Sequence, residues 1–311
     1  MGKWNHPATL QESPSTLQES PSKKKGHFKK RNGYFYLLPA LGLIIVFSYL
    51  PFIKTVALSF FTINSNNEIV AFAGLKNYLK VLSDPEFLNS VVNTIKYTVF
   101  TVPITLILAY FFAMLCCRPR KFSRVYETML ALPMAVSMSV ATTIFNLMLN
   151  PNIGPVNYYL HLNIEWLTDK DTVVYTLILI GIWLHVGMAF LFLLSAVRNV
   201  PEELLESSRL DGASTLRQVF NIYIPLTSPT LFYLLCTNLA SSMMMSDLVI
   251  ALTQGGTSNS STSTIIYYMY RKAFYIYNYG SAYAAAVLAF ILAFGLILAS
   301  FIFEKKKVHY S

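Results

Sequence analysis

The residues best placed to do chemistry lie between Pro201 and Pro225. Glu206-Ser207-Ser208 and Asp211-Gly212-Ala213 form a short polar island between two long apolar stretches. Glu202 and Glu203 have a local reason to be there, because the first turn of a helix favours negative charge. Glu206 lies beyond that turn, and its nearest basic residue on the same helix is Arg209. An exposed pair at that spacing contributes only about 0.2–0.5 kcal/mol. Glu206 therefore reads either as an ordinary solvated charge on an amphipathic loop or as a charge that pairs with a basic surface outside its own helix.

A second set of polar groups lies within apolar stretches. His185 is near the middle of one and Asp247 towards the end of another. An aspartate at the bilayer midplane costs roughly 2.5–3.5 kcal/mol, so such groups face polar interiors or sit at the interface. His185 reads either as a neutral imidazole bonded across a helix interface or as part of a solute path. Asp247 reads as interfacial or as facing a polar interior. Asn238, Ser242 and Met245 follow one another at steps of four and three, which places them on one helical face. That face suits helix packing, or a sugar, whose hydroxyls need hydrogen-bonding partners and whose ring faces need apolar ones. Two scattered ionisable groups do not make a proton relay, which counts against a proton-driven transporter.

Other chemistries are missing from the chain. The only Gly-Lys pair is Gly2-Lys3, so there is no phosphate-binding loop and no expected ATP site. No Gly-x-Ser-x-Gly, His-Glu-x-x-His or paired-cysteine metal pattern occurs. Cys116, Cys117 and Cys236 lack metal spacing, and adjacent cysteines are poorly placed to bridge, so all three read as packing residues. Asn259-Ser260-Ser261 matches a glycosylation acceptor by chance if the source is bacterial. Catalytic, cofactor and metal sites are not expected on this chain.

The elements that must position these groups are membrane helices. Of 311 residues, 54% are hydrophobic and 13% charged, against about a quarter charged in soluble domains. Successive apolar runs of roughly 20 residues or more can each cross about 30 Å of hydrocarbon. Six spans are expected, at about 36–58, 91–116, 128–149, 172–197, 226–252 and 281–303, with Pro103 as a kink. The fold class is all-α and polytopic. Residues 1–33 repeat Thr-Leu-Gln-Glu-Ser-Pro-Ser in tandem and end in a lysine cluster, which reads as a disordered basic tail. A helical domain follows over 34–308, with a polar loop at 198–225. In that loop Pro201 suits a first helical turn, Gly212 a helix stop, and Ser214 the cap of a second short helix carrying Leu216, Val219 and Phe220. Pro225 then leads into the next span.

The net charge of +9 is topological rather than a nucleic-acid signature. With both termini inside, 17 of the 24 lysines and arginines fall on the inner side, in the tail, after span 2, in the 198–225 loop and at the end. Cytoplasmic segments carry that excess, so the termini and the loop are expected in the cytoplasm.

The loop resembles the signature of permease subunits of bacterial ABC importers: Glu-Ala-Ala, three residues, Gly, nine residues, Ile, one residue, Leu-Pro. Glu206-Ser207-Ser208, Gly212, Ile222 and Ile224-Pro225 keep that spacing, with Ser for Ala twice and Ile for Leu. Over about residues 36–308 the chain is similar to the carbohydrate-importing branch, which includes maltose and glycerol-phosphate importers. The supporting stretches are Gly74-Leu75-Lys76-Asn77-Tyr78, Leu132-Pro133, Trp166-Leu167, Leu252-Thr253-Gln254-Gly255-Gly256 and Tyr267 to Phe274, with Thr257 where the family usually has Pro. The resemblance implies a type I importer permease fold and a bacterial cell membrane location. It implies a second, similar permease as heterodimer partner, two cytoplasmic ATPase subunits holding ATP and Mg²⁺, and an extracellular or periplasmic solute-binding protein. It maps ATPase coupling onto Glu206, Ser207, Ser208, Asp211, Gly212, Ala213 and Pro225. It maps a sugar or polyol path onto Met134, Met138, Gly181, His185, Asn238, Ser242 and Met245. The competing readings are a stand-alone secondary transporter or channel, which would need coupling charges within its spans, and a membrane enzyme, which would need a catalytic constellation.

The topology is tested by labelling single cysteines. Ser260→Cys should react with an impermeant thiol reagent from outside the cell and Ser214→Cys should not; the reverse pattern would overturn the orientation.

Overall fold

The computed structural model describes residues 33–118, 121–255 and 261–307. The tail, Arg120, the stretch Gly256 to Ser260 with Thr257 and the Asn259 acceptor, and the last four residues lie outside them. The chain divides into two units, residues 1–50 and 51–311. The described part of the first is helix α1 (Gly33–Ile44), followed by a π-turn over Ile45–Tyr49.

α2 (Leu50–Leu58), which lies in the second unit from Pro51 on, leads to a hairpin of β1 (Phe61–Ile63) and β2 (Ile69–Phe72), paired antiparallel with Phe61 opposite Phe72. Sequence reading takes this stretch as part of a polar loop. The hairpin forms because Asn64 Oδ1 accepts from the N–H groups of Asn66 and Glu68, while Asn67 takes the left-handed conformation at φ 63°, which asparagine tolerates. Asn77, from the Gly-Leu-Lys-Asn-Tyr stretch, ties the hairpin down by donating Nδ2 to the carbonyls of Ser59 and Phe61, both at 2.9 Å.

Helices α3 (Lys76–Leu82) and α4 (Pro85–Cys116) follow. Asp84 caps α4 by accepting from Glu86 N–H, and the helix runs through Pro103 to Cys116. α4 contributes to all three apolar clusters of the unit. It supplies Ala109 and Ala113 to the first, Tyr97 to the second and Phe87 to the third. Thr94, Thr98, Thr101 and Thr105 are buried along it. Small and hydroxyl-bearing residues let helices approach closely in a bilayer, where apolar side chains gain little from leaving lipid.

The third expected span is broken. α5 (Ser123–Ala135) and α6 (Met138–Met148) meet at 100°. Val136 is extended, and Ser137 caps α6 by accepting from Val140 N–H; β-branched Val136 and the capping serine together favour a break over a continued helix. Among the described residues, five helices are long and apolar enough to cross a membrane: Leu37–Leu58, Pro85–Cys116, Val173–Arg198, Thr215–Met243 and Tyr279–Ile302. Counted as one span, the bent α5–α6 pair makes a sixth.

A short α7 (Pro155–Leu160) is anchored by Asn157, whose Nδ2 donates to the Ile164 carbonyl and whose Oδ1 accepts from Trp166 Nε1 at 2.7 Å. Then come α8 (Val173–Arg198), α9 (Glu202–Leu210) and α10 (Thr215–Gln218). Pro201 stands at the cap position just before α9 rather than within it. α10 is not a separate helix. A π-turn over Val219–Tyr223 joins it to α11 (Ile224–Met243), so the expected second loop helix and span 5 are one rod. Pro225 lacks a donor, and the π-turn absorbs the defect: Ile224 N–H reaches back to the Val219 carbonyl. Pro51 follows its π-turn in the same way, with Leu50 N–H donating to Ile45.

The expected span 5 also ends early, at Met243. The Thr264 hydroxyl donates to the Met245 carbonyl at 2.8 Å, holding the chain out of helix before it turns helical again at Asp247 and passes through Val249–Thr253. α12 (Ile265–Phe274) and α13 (Tyr279–Lys307) complete the unit. α12 is clamped to the start of α4 by charge. Tyr268 Oη and Lys272 Nζ both donate to Asp84 Oδ2, at 2.8 and 3.0 Å, and Arg271 pairs with Glu86.

Burial by itself would raise the Asp84 pKa, but the hydrogen bonds from Tyr268 and Lys272 and from the Glu86 N–H outweigh it and hold it below the ordinary value. A depressed carboxyl pKa stabilises the fold above the unfolded-state value, about 3.9, and the contribution is lost as pH falls through the folded-state value. Asp84→Asn keeps the cap and removes the charge. It should cost roughly 1–2 kcal/mol near neutral pH and flatten the acid limb of a thermal-melting profile; a profile like wild type would mean the clamp contributes nothing.

Candidate functional site

Two sites emerge, a cleft among the helices and a polar loop beyond them. The cleft, about 400 Å³, forms where the α5–α6 break faces α8 and α11. The break contributes Pro133, Met134, Val136 and Met138; α8 contributes Leu184, His185 and Met188; α11 contributes Tyr233, Thr237, Asn238 and Ser241. Without the break, a straight third span would carry Met134 and Met138 along one continuous wall. The result is a wall of methionine and leucine facing hydroxyls, an amide and an imidazole.

His185 Nδ1 lies 2.8 Å from the Gly181 carbonyl, one turn back on its own helix. A carbonyl only accepts, so Nδ1 carries the proton there and Nε2 is the ring's remaining polar atom. The imidazole is thus bonded within α8 rather than across a helix interface. Asn238 Nδ2 likewise donates to the Leu234 carbonyl at 2.8 Å.

Of the seven expected path residues, Met134, Met138, His185 and Asn238 come together at this cleft. Gly181, Ser242 and Met245 do not. Gly181 is buried against the ring of Tyr97, whose hydroxyl occupies the space a Cβ would need. Ser242 is buried with its hydroxyl on the Leu239 carbonyl at 3.0 Å. Met245 lies past the end of α11, so it does not share a helical face with Asn238 and Ser242; it packs on the cluster around Tyr97. Asp247 is exposed beyond the break. Sequence reading noted Ser241 among the polar residues of span 5 but left it off the path, and missed Tyr233 and Thr237, because the facing of α11 depends on a π-turn that its periodicity does not announce; Met188 on α8 carried no separate signal.

The loop site is compact. Glu202 and Glu203 occupy the first turn of α9 and Arg209 the last. Gly212 turns the chain at φ 77°, and Ser214 caps α10 by accepting from Arg217 N–H. Leu205 is buried in the cluster formed by Ala189, Phe190, Leu193 and Val197 of α8. Gln218, which sequence reading passed over, fastens the two arms. Its Nε2 donates to the Leu205 carbonyl at 3.1 Å and to Ser208 Oγ at 2.7 Å, and Ser208 Oγ donates to the same carbonyl at 2.8 Å. The sequence signal was a lone glutamine between Leu216 and Val219. Glu206, Ser207, Asp211 and Gly212 are exposed, Ala213 and Pro225 half-buried. Glu206 has no ion-pair partner among the described residues. Three apolar side chains of the same loop face outward: Leu210 at 90%, Leu216 at 71% and Phe220 at 65% exposure.

Residues 82–307 match the family described as "Binding-protein-dependent transport system inner membrane component". The sn-glycerol-3-phosphate transport system permease protein UgpA of Yersinia pestis bv. Antiqua (strain Antiqua) is 30% identical over 276 residues, covering 88% of this chain and 94% of its own length. The protein of that name from Agrobacterium fabrum (strain C58 / ATCC 33970) is 32% identical over 242 residues, covering 77% and 83%. A solved chain of a bacterial ABC transporter involved in the import of the acidic polysaccharide alginate shares the fold, with a TM-score of 0.78 at 20% identity, covering 89% of this chain and 96% of that one.

Gly181→Ala separates packing from a path role. The added methyl meets the Tyr97 ring, so membrane abundance or melting temperature should fall while activity per surviving molecule stays close to wild type. Normal stability with lost activity would instead place Gly181 in the path.

Proposed function

The chain belongs to the inner-membrane components of binding-protein-dependent transport systems, and on that premise we propose how it works: as one permease half of an ATP-driven importer of a neutral sugar or polyol. One observation carries this reading. The loop and the cleft are joined by a single rod, Thr215–Met243, about 43 Å long at 1.5 Å per residue. The Gln218 clasp fastens its foot to α9, and Asn238 lines the cleft near its far end. A displacement at the loop therefore reaches the cleft without an intervening hinge loop.

In this reading α9 and the Gly212 turn dock on a cytoplasmic ATPase subunit. Glu206 pairs with a basic residue there, while Leu210, Leu216 and Phe220 supply apolar contact. Ser207, Ser208, Asp211, Ala213 and Pro225 shape the docking element rather than carry its charge. Two ATPase subunits hold ATP and Mg²⁺, a second permease of similar fold closes the other side of the cleft, and a solute-binding protein delivers the cargo from outside. Both termini lie in the cytoplasm. Nucleotide-driven closure rocks the helices so that the cleft opens alternately to each side.

The cargo class follows from the lining. Apolar Met134, Met138 and Met188 suit a sugar's carbon face, and Thr237, Asn238, Ser241 and His185 suit its hydroxyls. No lysine, arginine or carboxylate is among the lining residues, so a neutral polyhydroxylated solute fits better than a phosphorylated one.

Glu206→Ala leaves a partner charge unpaired, at a cost of about 2–5 kcal/mol in binding or coupling. Gly212→Ala strains a left-handed turn by roughly 1–2 kcal/mol. Both variants should reach the membrane yet lose substrate-stimulated ATP hydrolysis and uptake, whereas Asn238→Leu should lose uptake with the ATPase still attached. Wild-type uptake in the loop variants would make 198–225 an ordinary connector; wild-type uptake in Asn238→Leu would move the path elsewhere.

A further inference from the structure

Two cavities at the end of the helices that carries the 198–225 loop take no part in the cargo path. The larger, about 650 Å³, lies between the end of α4, the start of α5, the end of α8 and α9. The other, about 380 Å³, is a groove walled by Phe112, Leu115, Met129 and Leu130. Arg118 and Ser123 line both, so the two adjoin at these residues.

The charge in the larger cavity is unbalanced. Arg198 is already neutralised: it pairs with Glu127 through two contacts, at 2.6 and 3.3 Å, and donates to the Cys116 carbonyl at 2.9 Å. That leaves Arg118, Arg124 and Arg209 facing the Glu202 carboxylate alone. None of these three guanidinium groups has an ion pair among the described residues. A guanidinium presents a planar fork that matches a phosphate or phosphodiester. A soluble phosphate would satisfy the arginines and leave the groove unused. One class of molecule joins a phosphodiester anion to hydrocarbon long enough to fill such a groove, and it is abundant where a membrane helix ends.

We propose that the two cavities form a site for an anionic phospholipid. The phosphodiester sits between Arg118 and Arg124, and one acyl chain lies along Phe112, Leu115, Met129 and Leu130. Arg209 belongs to α9, so a bound headgroup also bears on the loop and links the lipid to its position. The site requires only that the chain sits in a membrane and is independent of the cargo.

The test uses the full-length chain purified in mild detergent with the subunits that co-purify. Dioleoyl phosphatidylglycerol and dioleoyl phosphatidylcholine are titrated separately, and retained lipid is counted by native mass spectrometry. Phosphatidylglycerol should be retained with roughly tenfold preference. Arg118→Gln/Arg124→Gln should abolish the preference, and Met129→Trp, at an exposed position, should lower phosphatidylglycerol retention by obstructing the groove. A large excess of inorganic phosphate should not displace the lipid. Equal retention of the two lipids by wild type would overturn the proposal, as would displacement by inorganic phosphate, which would mark a soluble-anion site. If the double arginine variant fails to purify, Met129→Trp decides: unchanged retention rules the groove out.

Discussion

In hydrocarbon no water satisfies a backbone group that a helix leaves unpaired, so every interruption must be repaired from within the chain. That constraint governs this structure more than any single contact. Pro225 would leave a carbonyl without its donor, and a π-turn takes up the defect by pairing Ile224 with Val219. The break between α5 and α6 is capped by Ser137. The break after Met243 is covered by Ala240, which accepts from Met244 N–H, and by Thr264, whose hydroxyl reaches the Met245 carbonyl. Each interruption then has a use. The first keeps the loop and the membrane helix in one piece, and the second opens the wall of the cleft. The third lets the 264–274 segment pack into the top of the unit.

The packing around α4 follows from the same solvent. Apolar side chains gain little from leaving lipid for one another, so close approach and hydrogen bonds must hold the helices together. Ala109 and Ala113 lie against α8, and Gly181 lets the Tyr97 ring approach. Thr94 accepts from the Ile265 N–H at 3.0 Å and joins α4 to α12. At the first turn of α4, beyond its apolar stretch, Asp84 and Glu86 take over with ion pairs to Lys272 and Arg271. One helix thus uses small residues in its apolar stretch and charges at its start.

Much of the architecture was legible because its signals are local. Apolar length gives the spans, Gly212 gives the turn, and Ser214 gives the cap. The stretch from Thr253 was legible only as a polar loop, without its shape: Gln254 and Gly255 both adopt positive φ, and the Gln254 carbonyl accepts from Tyr267 Oη at 2.6 Å. The facing of side chains was less legible. Asn238, Ser242 and Met245 share a face only on an uninterrupted helix, and the break after Met243 removes Met245 from it. Gln218 looked like one polar residue among several until the Leu205 carbonyl was placed beside it. Gly181 was placed on the path by the family resemblance alone, and no sequence pattern reveals the tyrosine on α4 that covers it.

The π-turn at Val219–Tyr223 fixes a phase. A π-turn holds one residue more than the α-turn it replaces, and each residue of an α-helix advances the direction of its side chains by about 100°. The angle between the face of α9 that meets solvent and the face of α11 that meets the cleft is therefore set by that one extra residue. Shortening the chain by one residue in this turn would leave both the loop and the cleft lining chemically complete. It would turn Thr237, Asn238 and Ser241 out of the cleft relative to α9, so the fault would lie in timing between two intact parts.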